Sequence, residues 1–221
     1  MHRAAAAILL LAIAVGASLL GIAMYRYPGG TVLEPHGLHH SLWFNFLCDL
    51  TGPSARNGSP NTACRSIARA GMGCLALALG LFWAVLPTIL PRSGASGAVI
   101  RGAGCLSAAG VLVVPFADGT WHAVAIFSGS VPALVAAITG FVAVLREVPD
   151  RGLIVVAACT IATATTDSIL YARRLISGAT VDPPALPLFQ RLAFLFLLTW
   201  MAMVGWRVLR RRPSALGRVA T

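Results

Sequence analysis

Six stretches of apolar residues, each about 20 long, recur along the chain at approximately 4–24, 67–90, 98–117, 121–145, 152–172 and 186–208. A bilayer-spanning helix needs about 20 such residues. Lipid offers the backbone no hydrogen-bond partner, so spans of this length are helices. Only 11% of the 221 residues are charged, against roughly 25% in a soluble domain. The expected fold is all-α: a single polytopic membrane domain of six transmembrane helices. Met1-His2-Arg3 precedes the first stretch. That stretch exceeds the ~7–15-residue core of a signal peptide, so it reads as a retained span. Pro87 and Pro132 fall inside spans and predict kinks. Ala76 with Gly80, and Gly104 with Ser107 and Ala108, predict close helix–helix approach.

The net charge of +10 arises from 17 basic residues, all Arg, against 7 acidic ones. Most of the Arg residues sit at span ends, where anionic head groups are the expected counter-charge, so nucleic acid is not the expected partner. Membrane lipids are. Arg207, Arg210, Arg211, Arg212 and Arg218 form the densest basic cluster, which places the C-terminus in the cytoplasm by the positive-inside rule. Six spans then return the N-terminus to the same side. The expected location is a bacterial cytoplasmic (inner) membrane, with 25–66, 117–120 and 173–185 outside. Arg26, Arg56, Arg65, Arg69, Arg173 and Arg174 run against this orientation.

The 25–66 segment is the one long connection. Within it, 36–50 carries Ser41, Asn45 and Asp49 at i, i+4 and i+8, beside a stripe of Leu42, Phe46 and Leu50. That spacing predicts a short amphipathic interfacial helix. Thr51-Gly52-Pro53 and Asn57-Gly58-Ser59-Pro60 are turn sequences. The five cysteines include no C-x-x-C pair, which excludes a zinc ribbon and a dithiol redox motif. Cys48 and Cys64 flank the polar loop and form a bridge only if it faces an oxidising compartment.

Polar residues concentrate at the outer side. Asp167 within span five costs a few kcal/mol of insertion and is expected to face the bundle interior with a partner among Arg191, Arg173, Arg174 and His122. It reads as a structural ion pair, a ligand or catalytic group, or a neutral acid near the interface. Tyr171 lies one turn further out, and Gln190 and Arg191 open span six. Asp118 is placed to cap span four. His122, in the first turn, is suited to act as a general base, a metal ligand, a donor to phosphate, or a structural histidine. His36, His39 and His40 form an H-x-x-H-H array, the weak metal candidate of the chain. No H-E-x-x-H or G-x-S-x-G motif is present. No cofactor is implied, and no oligomeric state.

Tyr27-Pro28-Gly29-Gly30-Thr31, then Asn45-Phe46-Leu47-Cys48-Asp49-Leu50-Thr51, then Gly58-Ser59-Pro60-Asn61, then Asp118 and His122, occur in that order. This series resembles a family of six-span bacterial and archaeal membrane proteins known only as a domain of unknown function. It is distantly similar to the Frag/DRAM/Sfk group of membrane proteins. The resemblance implies six spans and lipid-related work, and it supplies no catalytic residue. Cys48 and Thr51 depart from the Ser and Gly expected there.

The sequence therefore predicts an outward-facing polar site built from Asp49, Asp118, His122 and Asp167, with Asn45, Tyr171 and Arg191 around it. Its expected occupant is a lipid or small amphiphile. The alternatives are a membrane-embedded lipid hydrolase, with or without a metal, or acyl-transfer enzyme, and a structural subunit of a membrane complex. His122 and Asp167 are expected at the same shallow depth.

Overall fold

The computed structural model describes residues 1–178 and 185–211. Among them are six helices long and apolar enough to cross a bilayer: α1 (His2–Arg26), α2 (Thr62–Val85), α3 (Gly94–Val113), α4 (Gly119–Glu147), α5 (Arg151–Ser177) and α6 (Ala185–Arg210). No strand is present among the described residues. Each helix packs on its chain neighbours, and α1 also packs on α6, which closes the bundle. The 27–61 segment lies over one end, the cap end. The short links between α2 and α3, and between α4 and α5, lie at the opposite end.

Six long apolar helices stand where the six spans are expected, but two local expectations are corrected. Residues 36–50 do not form an amphipathic α-helix; their only helical turn is the 3-10 turn Leu47–Thr51. The polar side chains read as one helical stripe instead take the backbone's hydrogen bonds. Asn45 Oδ1 accepts from the Ser41 amide, and Asp49 Oδ2 accepts from the Phe46 amide. Side chains that bond nearby amides compete with a helix. His39, at φ 66°, turns the chain in the left-handed region. Pro87 does not kink α2. It sits in the 3-10 turn Leu86–Ile89, where the α-helix has already ended. Pro132 does lie inside α4.

Small residues set the closest helix contacts. A Cβ added to Gly104 would lie 2.1 Å from Trp83 Cγ, so α3 receives the Trp83 indole where it has no side chain. A Cβ on Gly110 would lie 2.6 Å from Gly129 Cα, so α3 and α4 cross nearly backbone to backbone there. Trp83 and Trp200 meet edge to face with ring centroids 6.1 Å apart, and Phe82 packs against both. Around them the core away from the cap is filled by residues such as Leu9, Leu86, Ile100, Val144 and Leu153. A second, smaller core joins α1 and α2 to the cap through Leu20, Tyr27, Leu50 and Cys64.

The end opposite the cap is locked by polar contacts. Asp150 caps α5 by accepting from the Leu153 amide and pairs with Arg207. Arg211 donates to the carbonyls of Thr88 and Ile89. At the cap end α5 behaves differently. Its buried residues, Leu153, Ala157 and Thr160, all lie in its first ten positions. The remainder leaves the packed core and walls a cavity.

Candidate functional site

The cavity has a volume of about 440 Å³ and lies in the cap half of the bundle between α2, α3, α4, α5 and α6. Its wall is mostly apolar, including Leu79, Val111, Ile126, Ala137, Ile161 and Phe194. Polar residues enter it in two groups. Cys48, Asp49 and Arg56 come from the cap, with His122, Tyr171, Arg174 and Gln190 from the adjoining helix turns; Trp83, Ser107 and Asp167 lie deeper.

Asp49 is fixed by its neighbours. Its side chain is 9% exposed and accepts from Asn45 Nδ2 at 3.0 Å and from the Phe46 amide at 2.9 Å. Arg56 donates to it at 2.8 and 2.9 Å. Asn45 is fully buried and also donates to the Gly30 carbonyl. Asn61 Nδ2 donates to the Leu50 and Gly52 carbonyls, and the Tyr27 hydroxyl accepts from the Arg56 amide. Burial pushes the Tyr27 hydroxyl up to about 12, so it stays protonated at neutral pH. These bonds make the cap a rigid plug.

Arg191 is a strut between helix and plug. Its guanidinium donates to the Asn45 carbonyl at 2.6 Å and to Gln190 Oε1 at 3.1 Å, while Gln190 Oε1 accepts from the Leu47 amide. It does not line the cavity.

The four carboxylate and imidazole groups expected to converge do so in part. Asp49, His122 and Asp167 line the cavity, as does Tyr171, whereas Asp118 is exposed and does not. Asp118 occupies the N-cap position of α4, but its side chain makes no capping bond.

His122 and Asp167 do not share a depth. Helix α5 extends to Ser177, ten residues past Asp167, which buries the carboxylate about 15 Å from that helix end at 1.5 Å per residue. Phe127 meets Tyr171 at 5.9 Å and sets the register of α4 against α5. His122 lies five residues capward of Phe127 and Asp167 four residues inward of Tyr171. The two are therefore separated by about 13 Å along the axis. His122 instead holds the end of the α3 segment: its Nδ1 lies 3.2 Å from both the Val114 and Ala117 carbonyls. Two carbonyl acceptors require the proton on Nδ1.

The H-x-x-H-H array does not close around a metal. His36 and His39 are exposed, and His40 packs edge-on against Tyr27 at 5.5 Å. Burial, aided by the Arg191 charge, lowers His40 to about 4, so it is neutral at pH 7. Among the described residues no three His, Cys, Asp or Glu side chains are grouped to hold a metal ion.

Cys48, Thr51, Ser128 and Thr166 show no sign of activation as nucleophiles. Cys48 faces the cavity, but burial and then the Asp49 charge push its thiol up to about 12, leaving it un-ionised. Cys48 and Cys64 are both free, and the Cys64 thiol donates to the Leu50 carbonyl. The hydroxyls of Thr51, Ser128 and Thr166 donate to nearby carbonyls of their own segments.

Asp167 stands apart from all of these. No hydrogen bond or ion pair joins it to another described residue. Trp83 and Ser107 are also lining residues, and their Nε1 and Oγ atoms are buried with no hydrogen-bond partner among the described residues. The sequence offers no signal for Trp83, which reads as one more apolar residue of a span, and marks Ser107 only as small. Comparison of the chain with known protein families, curated proteins and solved structures found no match.

Proposed function

We propose that this chain is an integral membrane protein that binds or handles a lipid or small amphiphile in the cap-end cavity. One observation carries the reading: a carboxylate, Asp167, with no hydrogen-bond or ion-pair partner among the described residues, set deep in the wall of a mostly apolar cavity. An acid costs several kcal/mol in such a place and is retained where a bound group repays it. A cavity of about 440 Å³ falls within the usual ~300–1,000 Å³ of ligand sites. The polar cap and the apolar interior match a molecule with a polar end and a hydrocarbon chain.

The proposed setting is a bacterial inner membrane, with the cap facing out and both termini in the cytoplasm, a reading that the Arg-rich C-terminus supports. Two measurements test the proposal. Native mass spectrometry of the detergent-purified protein should find a bound amphiphile that is reduced at least tenfold in Asp167→Asn; a wild type free of any amphiphile refutes the reading. In a cysteine-free background, Glu34→Cys should label from outside intact cells and Arg92→Cys only after permeabilisation. Labelling of both from one side refutes the topology.

A further inference from the structure

Three large apolar side chains stand together at the tip of one cap loop. Ser41 and Asn45 close that loop on itself. The Asn45 amide donates to the Ser41 carbonyl at 3.2 Å, and Asn45 Oδ1 accepts from the Ser41 amide at 2.8 Å. Between them Leu42, Trp43 and Phe44 are 48%, 56% and 42% exposed. A loop tip in water carries small and polar residues, which make turns and hydrate well. Three exposed apolar side chains in a row belong instead to a surface that something covers.

The base of the loop is pinned at a definite depth. The Asn45 carbonyl accepts from the Arg191 guanidinium, and the Leu47 amide donates to Gln190. Arg191 and Arg207 lie on the continuous helix α6, about 24 Å apart along its axis at 1.5 Å per residue. Arg207 pairs with Asp150 at the end opposite the cap, and the neighbouring Trp206 is exposed with Arg210 over its ring at 4.5 Å. An exposed Trp among arginines marks a head-group boundary. Helical side chains lean toward the helix N-terminus, so the Arg191 side chain reaches capward from its Cα. Those 24 Å and the length of the Arg side chain put the Asn45 carbonyl near the far edge of a hydrocarbon core ~30 Å thick.

We infer that the Leu42–Trp43–Phe44 tip is a membrane contact that seats the cap in the head-group region of the leaflet on its own side. The loop is neither helix nor strand, so its backbone needs polar partners that hydrocarbon lacks. Apolar side chains on such a backbone suit the interface, where Trp is enriched. Depth favours lipid over a protein partner in the water, since a loop pinned to the second turn of α6 lies at the level of the bilayer surface. The inference rests on the chain spanning a bilayer and is independent of what the cavity holds.

The test uses the full-length protein in phosphatidylcholine vesicles. The Trp43 share of the fluorescence is the difference between the wild type and Trp43→Phe, which keeps the tip apolar. Bromines near the ester end of the lipid chains should quench that share at least twofold more strongly than bromines near the methyl end. They should also outdo acrylamide in the water. A share quenched by acrylamide and by neither brominated lipid overturns the inference and leaves the tip to a protein partner. Stronger quenching from the methyl end overturns the head-group level. If the Trp43 share is too dim to read, a nitroxide on Phe44→Cys in a cysteine-free background decides the matter. Its collisions with oxygen, relative to those with a nickel chelate, should exceed those of a nitroxide on Glu34→Cys at least threefold, and an equal ratio overturns the inference. Protein that fails to float with the vesicles overturns the membrane reading as well.

Discussion

Asp49 and Asp167 border the same cavity in opposite surroundings. Asp49, in the cap, accepts hydrogen bonds from Asn45, the Phe46 amide and Arg56. Asp167, in the bundle, accepts none from any described residue. The contrast extends to their regions. In the cap, Asn45, Asn57 and Asn61 all donate to backbone carbonyls, and Thr31 Oγ1 accepts two amides. In the bundle, Trp83 and Ser107 have polar atoms without partners among the described residues. A buried polar group costs about 1–3 kcal/mol when left unmade. The cap meets most of that requirement within itself, leaving His40 Nε2 and Asn61 Oδ1 without a hydrogen-bond partner among the described residues. Asp49 thus reads as architecture and Asp167 as the group open to a ligand, though both are the same carboxylate.

The comparison breaks most easily at Asp49. Asp49→Ala should lower stability by about 3 kcal/mol, because it strips partners from Asn45, the Phe46 amide and Arg56 together. The thermal midpoint and the proteolytic susceptibility of residues 30–60 would report it. A variant as stable as the wild type would mean that the cap is not held by this hub.

His122→Ala should cost about 1.5 kcal/mol, the loss of a ring that bridges two carbonyls at the end of the α3 segment. The effect should appear in thermal stability, with ligand affinity changed less than twofold. A tenfold affinity loss at unchanged stability would instead move His122 from the architectural to the recognising group.

His40 sharpens the comparison through pH. Its folded value near 4 lies below the 6.5 of the unfolded chain, so the unfolded state binds the proton first as pH falls. Stability from this group is complete above about 6.5 and is lost progressively toward 4. About 1 kcal/mol should disappear between pH 6.5 and 5.5, read as a falling thermal midpoint. His40→Phe, which keeps an aromatic ring against Tyr27, should flatten that dependence. An unaltered slope would assign the acid sensitivity elsewhere.

The smallest effect on stability is expected where the effect on binding is greatest. Asp167→Asn should change the unfolding free energy by less than about 0.5 kcal/mol, since no protein partner is left unpaired. A loss near 3 kcal/mol, recovered by a second substitution in α6 or the cap, would show that Asp167 is structural after all and erase the contrast.

The number, order and approximate limits of the helices were legible in the chain, because hydropathy over 20 residues is a local property that a bilayer reads directly. So were the chemical identities of Asp49, His122, Asp167 and Tyr171 as residues of one cavity, since alternating spans bring them toward one end. The tertiary structure alone decided their roles. Asn45 and Asp49 carry the spacing of a helix stripe, yet their bonds to Ser41, Gly30 and Arg56 fold residues 36–50 into an irregular plug. Asp167 lies deeper than its place in the apolar run implies, because α5 continues to Ser177 through Arg173 and Arg174. The Trp83 indole closes on α3 only because Gly104 has no side chain there. Periodicity records which residues a helix carries. Whether a buried polar atom finds a partner depends on contacts between segments far apart in sequence, and those are set by packing.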